Sequence, residues 1–182
     1  MVVLYVYYIN MNWGGRLLTE VAEVEKNAED EIWTDADFQA YLAESAKGDC
    51  TEALNRIQSV LERFLDHEIA HFANANALAE LDRLDEAITA YQEAIRVRPD
   101  YAEAWNNLGV VCGKRGRSAE EFNAYRQAIR IKLDYSKAWH NIAHAYTQAK
   151  QYDSARDAIL HLEKIDPNRA TKLAEALKIL SR

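Results

Sequence analysis

Residues 102–109 read Ala102-Glu103-Ala104-Trp105-Asn106-Asn107-Leu108-Gly109, and residues 136–143 read Ser136-Lys137-Ala138-Trp139-His140-Asn141-Ile142-Ala143. The two tryptophans stand 34 positions apart. The two prolines, Pro99 and Pro167, stand 68 apart, twice that step. The surrounding text is rich in Ala and Leu and poor in Gly and Pro, which favours helix over sheet. Helical text recurring every 34 residues predicts a stack of helix-turn-helix units, each too small to bury its apolar face alone. Such an array offers an extended surface rather than a closed chemical pocket, so binding is the expected function.

Stepping by 34 from Trp105 and Trp139 gives three clear units, 68–101, 102–135 and 136–169. In the middle unit the apolar spacing predicts a first helix over Ala102–Lys114 and a second over Ala119–Ile131. Gly116 falls between them, where a residue free to adopt positive φ ends a helix at little cost. Pro99 and Pro167 fall after second helices, where proline stops continuation. Small residues (Ala87, Ala94, Ala128, Ala155) are expected to let helices approach, and Trp105, Trp139, Tyr91 and Tyr125 to fill the buried space between them. One step earlier, 34–67 reads as a degenerate copy: Gly48 is in register with Gly116, and Ala53 with Ala87. Thr34-x-x-Asp37 has the form of a capping box at its start. After 169, a helix from Ala170 to Leu180 carries Leu173, Ala176, Leu177 and Leu180 on one stripe and is expected to cap the stack over 170–182. Residues 1–33 read as an extension, an apolar leader followed by an acidic helix over about 16–30.

These units resemble tetratricopeptide repeats. Trp105-x-x-Leu108-Gly109, Tyr125 and Ala128 follow the family pattern, as do Trp139-x-x-Ile142-Ala143-x-x-Tyr146, Ala155 and Pro167. The unit from 68 keeps Ala75, Leu78, Ala87, Tyr91, Ala94 and Pro99, but carries His71 and Asn74 where the family prefers a large aromatic and a leucine. The middle unit carries Glu121 where a small alanine is expected and Leu133 where proline is expected. The resemblance implies an all-α, right-handed helix-turn-helix solenoid of three clear repeats, one degenerate repeat and a C-terminal capping helix. It also implies a non-enzymatic adaptor or scaffold that holds a peptide or helix of a partner protein.

In the family's geometry the first helix of each unit lines a concave groove. Carried onto this chain, the groove residues are Phe38, Leu42, Ile69, Phe72 and Asn76 at an apolar end. Asn106, Asn107 and Val110 follow, then Lys137, His140, Asn141 and His144 at a polar-to-basic end. Some family members clamp the terminal carboxylate of chaperone tails. Asn76, Asn107 and Lys137 match that clamp, whereas Phe72 and Asn141 stand where a lysine and an arginine are expected.

Two other readings start from the residues themselves. His67-Glu68-Ile69-Ala70-His71 matches H-E-x-x-H, the spacing that lets two histidines one helical turn apart hold zinc while the glutamate activates water. A zinc hydrolase is therefore the alternative to an adaptor, although the repeat register assigns His67 to the end of one unit and His71 to the aromatic slot of the next. His140 and His144 are a second pair one turn apart. The third reading is a self-associating assembly subunit, with the apolar run Val2–Ile9 docked in the groove or on another copy. No phosphate loop, nucleophile elbow or paired catalytic carboxylates are present, and no metal or cofactor is expected.

The net charge of −7 lies in the first third of the chain. Residues 1–66 hold 13 acidic and 5 basic side chains, and the remainder is nearly neutral. Nucleic acid is not an expected partner, because its binding needs a cationic face to displace counterions. Cys50 and Cys112 are isolated and form no metal-binding spacing, which fits a reducing, cytoplasmic setting. The opening MVVLYVYYI lacks a basic leader and a cleavage site and is too short to span a bilayer.

Overall fold

The computed structural model describes residues 28–180. The chain divides into two units, 1–31 and 32–182. Of the first, the described residues are the opening turn of helix α1 (Ala28–Thr34). The leader and most of the acidic helix expected over 16–30 lie outside the described residues.

The second unit is built from antiparallel helix pairs: α2 (Ala36–Lys47) with α3 (Cys50–Arg63), α4 (Glu68–Glu80) with α5 (Leu84–Val97), α6 (Ala102–Lys114) with α7 (Ser118–Ile131), and α8 (Ser136–Gln148) with α9 (Tyr152–Ile165). Helix α10 (Pro167–Leu180) closes the series. No strand occurs among the described residues. The architecture is an all-α helix-turn-helix solenoid. The second helices begin at 50, 84, 118 and 152 and end at 63, 97, 131 and 165, a step of 34 throughout.

The turn inside each pair repeats as strictly. Residues 48, 82, 116 and 150 all take positive φ, as Gly48 (80°), Asp82 (58°), Gly116 (77°) and Lys150 (58°). The next amide then reaches back to a carbonyl five residues earlier: Asp49 to Glu44, Arg83 to Leu78, Arg117 to Cys112 and Gln151 to Tyr146, all at 2.8–3.0 Å. This is the Schellman closure of a helix, which satisfies carbonyls the helix leaves free. Two of the four positions are glycine, and two strain a side chain into the left-handed region at a cost of about 1 kcal/mol. A Cβ at Gly116 would meet no neighbour within 4 Å, so backbone strain alone decides a substitution there. Gly116→Ala should therefore lower stability by about 1 kcal/mol and Lys150→Gly should raise it by up to about 1 kcal/mol, measured by urea unfolding. Equal midpoints for both variants and wild type would show that the turn is not under this strain.

The core follows the same period. Ala70, Ala104 and Ala138 are each fully buried, as are Ala94 and Ala128, so helices pack at close range. Tyr91 and Tyr125 fill the spaces between them at 2% and 4% exposure. The tryptophans behave differently from expectation: Trp105 and Trp139 are half-buried rather than enclosed. Each turns its indole N–H outward onto the carbonyl six residues earlier, Trp105 to Pro99 at 2.9 Å and Trp139 to Leu133 at 2.8 Å. An indole nitrogen needs that partner, so the ring sits at the seam between units instead of in its centre. Leu133 supplies the carbonyl as well as Pro99 does, which is why the missing proline does not disturb the register.

Three local expectations change. Helix α2 is capped by Asp35, not Thr34; its Oδ1 accepts from the amides of Asp37 and Phe38 at 3.0 Å each, and Arg63 braces it at 2.8 Å. Thr34 instead ends α1. Pro167 does not merely end a helix: it is the first residue of α10, where its missing N–H costs nothing. The capping stripe is narrower than read, because Ala170, Leu173 and Leu177 are buried while Ala176 and Leu180 are exposed.

Candidate functional site

The first helices α4, α6 and α8 carry a continuous chain of side-chain amides. Asn141 Nδ2 donates to Asn106 Oδ1 at 2.9 Å. Asn106 Nδ2 donates to Asn107 Oδ1 at 3.1 Å, and Asn107 Nδ2 donates to Asn76 Oδ1 at 3.1 Å. The Tyr91 hydroxyl anchors the same Asn76 oxygen at 2.6 Å. Burial holds that hydroxyl protonated far above its ordinary range, so it stays a donor. The amides all point the same way along the chain. Two ends are left over: Asn76 Nδ2, a donor, and Asn141 Oδ1, an acceptor, neither with a hydrogen bond among the described residues. Asn106, at 4% exposure, is the buried link. Side-chain amides fixed by one another lose little freedom on meeting a ligand.

At the N-terminal side, Phe72 is half-buried. Its ring lies 4.9 Å from Tyr101 and edge-to-face with Tyr91 at 5.9 Å. The Arg98 guanidinium covers the other part of Tyr101, 3.9 Å from the ring centre. Ile69 and Leu42 are half-buried and pack against the N-terminal part of the core. Phe38 is different. It is 1% exposed and packed edge-to-face on Trp33 at 5.2 Å, so it is core and offers no groove surface. Lys137 is exposed.

The H-E-x-x-H residues have separate duties, although His67 Nδ1 lies 3.6 Å from Glu68 Oε2. His67 caps α4, its Nδ1 accepting from the Ile69 amide at 3.2 Å. His71 Nε2 meets the Leu65 carbonyl at 2.7 Å, six residues back, the bond that Trp105 and Trp139 make in their own units. Glu68 is 8% exposed and pairs with Arg98 at 3.1 Å. Of the second histidine pair, His140 buries Nδ1 without a partner, and burial lowers its pKa ahead of repulsion from Arg169 and His144. His144 is exposed and rests on Gln148 at 3.3 Å. No group of three or more His, Cys, Asp or Glu side chains is placed to hold a metal among the described residues.

A cleft of about 530 Å³ opens between α6, α7 and the C-terminal half of α8. Val110, Phe122 and Tyr125 form its apolar walls, with Glu121, Asn141 and His144 as polar groups. Val110, Asn141 and His144 were legible as groove residues; Glu121 and Phe122 were not.

Family models match two stretches, a "TPR repeat" over 75–116 and a "Tetratricopeptide repeat" over 102–135 and again over 136–169. Together they span 75–169, more than half of the chain. The chain belongs to the tetratricopeptide-repeat family. Solved tetratricopeptide structures agree in fold. The crystal structure of MamA is 22% identical with a TM-score of 0.59, over 84% of this chain and 98% of that one. The MamA RS-1 ArsTM double mutant is 15% identical with a TM-score of 0.67, over 87% and 97%. The Arabidopsis OM64 TPR domain is 18% identical with a TM-score of 0.58, over 61% and 93%. No curated protein sequence matches the chain at a significant level. Among the described residues no helix is long and apolar enough to cross a membrane.

Against the tetratricopeptide pattern, Glu121 is the telling departure. Its register mates Ala53, Ala87 and Ala155 are 0–1% exposed. A glutamate fits there because the facing residue is Gly113: a Cβ on Gly113 would lie 2.6 Å from Glu121 Oε1. Burial raises the Glu121 pKa, and the nearby His144 only partly opposes it. A carboxylate whose folded pKa is raised destabilises the fold above that pKa, and the penalty disappears below the unfolded value of about 4.3. Glu121→Gln should therefore raise the urea midpoint at neutral pH and leave it unchanged near pH 3. A midpoint lowered at neutral pH would show the ionised carboxylate to be stabilising instead.

Proposed function

We propose that this chain is a non-enzymatic adaptor whose first helices hold an extended segment or helix of a partner protein. The family membership supports a protein-interaction scaffold. The observation that carries the groove reading is the amide chain Asn76–Asn107–Asn106–Asn141, prearranged across α4, α6 and α8. Its free donor and acceptor suit the carbonyls and amides of a peptide backbone, which every sequence presents. Phe72, Ile69 and Leu42 provide an apolar anchor at one end. His140 and the exposed Lys137 provide a polar-to-basic end that favours a carboxylate or carbonyl, and Val110 and His144 line the cleft beside it. The apolar anchor supplies affinity and the polar end supplies direction. A carboxylate clamp for chaperone tails is not favoured, since Phe72 and Asn141 replace its two cationic positions. The free thiols of Cys50 and Cys112 suit a reducing compartment, and we place the protein in the cytoplasm. Docking of the 1–10 leader concerns residues outside those described.

The test is selection of binders to the full chain from a displayed library of short random peptides. Their affinities are then compared for wild type, the Phe72→Ala/Lys137→Ala variant and Arg130→Ala on a second helix.

A further inference from the structure

We propose that the cleft around Glu121 is a subsite for one basic side chain, lysine or arginine, of the bound partner segment. This inference rests on the peptide-groove reading and names one determinant of its sequence preference. The Glu121 carboxylate makes no hydrogen bond or ion pair among the described residues, although arginines elsewhere on the chain pair freely with acids. Arg117, just before the start of α7, is taken by Glu120 at 2.7 Å. Lys114 is exposed at the rim and makes no ion pair with it, and His144 stands exposed on α8. The carboxylate thus faces a cleft in which His144 acts on it only at a distance and no cation is hydrogen-bonded or ion-paired to it among the described residues.

The walls suit the rest of a basic side chain. Val110 and Phe122 offer apolar surface to a methylene stem. Phe122 stacks on Tyr146 with ring centres 4.8 Å apart, which fixes an aromatic edge of the cleft. The volume of about 530 Å³ falls within the range of small-ligand sites, roughly 300–1,000 Å³. Asn141 belongs to both features: its Nδ2 donates into the amide chain, and its side chain lines the cleft. A segment whose backbone follows the amide chain would therefore pass the cleft mouth, with a side chain free to enter.

The alanine register gives the argument its direction. Three units place a buried alanine at this position, and the fold gains nothing from a half-desolvated carboxylate there. Gly113, on the facing helix, leaves the room it needs. A desolvated, unpaired carboxylate binds a cation more strongly than an exposed one, because part of its hydration is already lost.

The test is the same displayed random-peptide library, selected in parallel on the full chain, on Glu121→Gln and on Glu121→Lys. Wild type should enrich one Lys or Arg at a fixed spacing from an apolar residue. Glu121→Gln should lose that enrichment while keeping the apolar one, and a synthetic wild-type binder should lose about tenfold or more in affinity for it. Glu121→Lys should favour Asp or Glu at the same position. Gly113→Ala offers a second route, since its methyl must push the flexible carboxylate aside, and it should weaken the same peptide without loss of helical signal. Binders that show no basic preference, or that hold Glu121→Gln as tightly as wild type, overturn the subsite and leave the groove reading standing. A library that yields no binder to wild type overturns both.

Discussion

Tyr91→Ala should lower stability by about 3–5 kcal/mol, as truncation of large buried aromatics does. The ring is 2% exposed and touches Phe72 edge-on. Removing it leaves a cavity between α4 and α5 that neither helix can close, because each is also held by its other neighbour. Coupling in such an array is nearest-neighbour, so amide exchange should rise first in α4, α5 and α6 and last in α9 and α10. Tyr91→Phe separates packing from polarity. It keeps the ring and loses only the 2.6 Å bond to Asn76, whose oxygen retains Asn107 as a donor. The loss should then be about 1 kcal/mol. Urea unfolding of the pair measures both. If Tyr91→Ala unfolds within 1 kcal/mol of wild type, Tyr91 is not the space-filling residue of this seam.

The period of the fold was legible because packing imposes it on the sequence. Each unit meets its neighbours in the same way, so the same sizes recur at the same places, and Trp105 and Trp139 alone gave the step. What the sequence hid was set by contacts between distant residues. Asp35 caps α2 with help from Arg63, 28 residues on, and nothing near Thr34 announces that. Phe38 has the spacing of a groove residue, but α1 lays Trp33 across it. Asp82 and Lys150 occupy left-handed turns that only their register with Gly48 and Gly116 betrays.

The groove divides in the same manner. Asn76, Asn107 and Asn141 could be assigned by register, yet their union into one directed chain depends on rotamers. Glu121 was visible as a departure from the small alanine expected there. The compensating Gly113 lies eight residues earlier, on another helix, and is an unremarked glycine in an otherwise ordinary helical run. A glutamate in an alanine slot, paired with a glycine in the facing slot, is the signal that would have located the cleft.

The Phe72→Ala/Lys137→Ala variant should bind a library-selected peptide about a hundredfold more weakly than wild type. Most of that falls on Phe72. A half-buried aromatic prearranged against Tyr101 and Tyr91 needs little ordering to receive an apolar side chain, so its truncation removes about 2 kcal/mol. Lys137 is exposed, and a screened charge at a rim adds up to about 1 kcal/mol. The two lie far apart along the first helices, so their effects should add. The salt dependence should divide accordingly: Lys137→Ala flattens it, and Phe72→Ala does not. Because Phe72 also packs within the fold, binding must be read under conditions where the variant's circular dichroism and amide exchange match wild type. Arg130→Ala, exposed on a second helix, should bind normally. A double variant that is folded and binds as tightly as wild type would remove the first-helix face from the binding account, whatever the peptide's sequence.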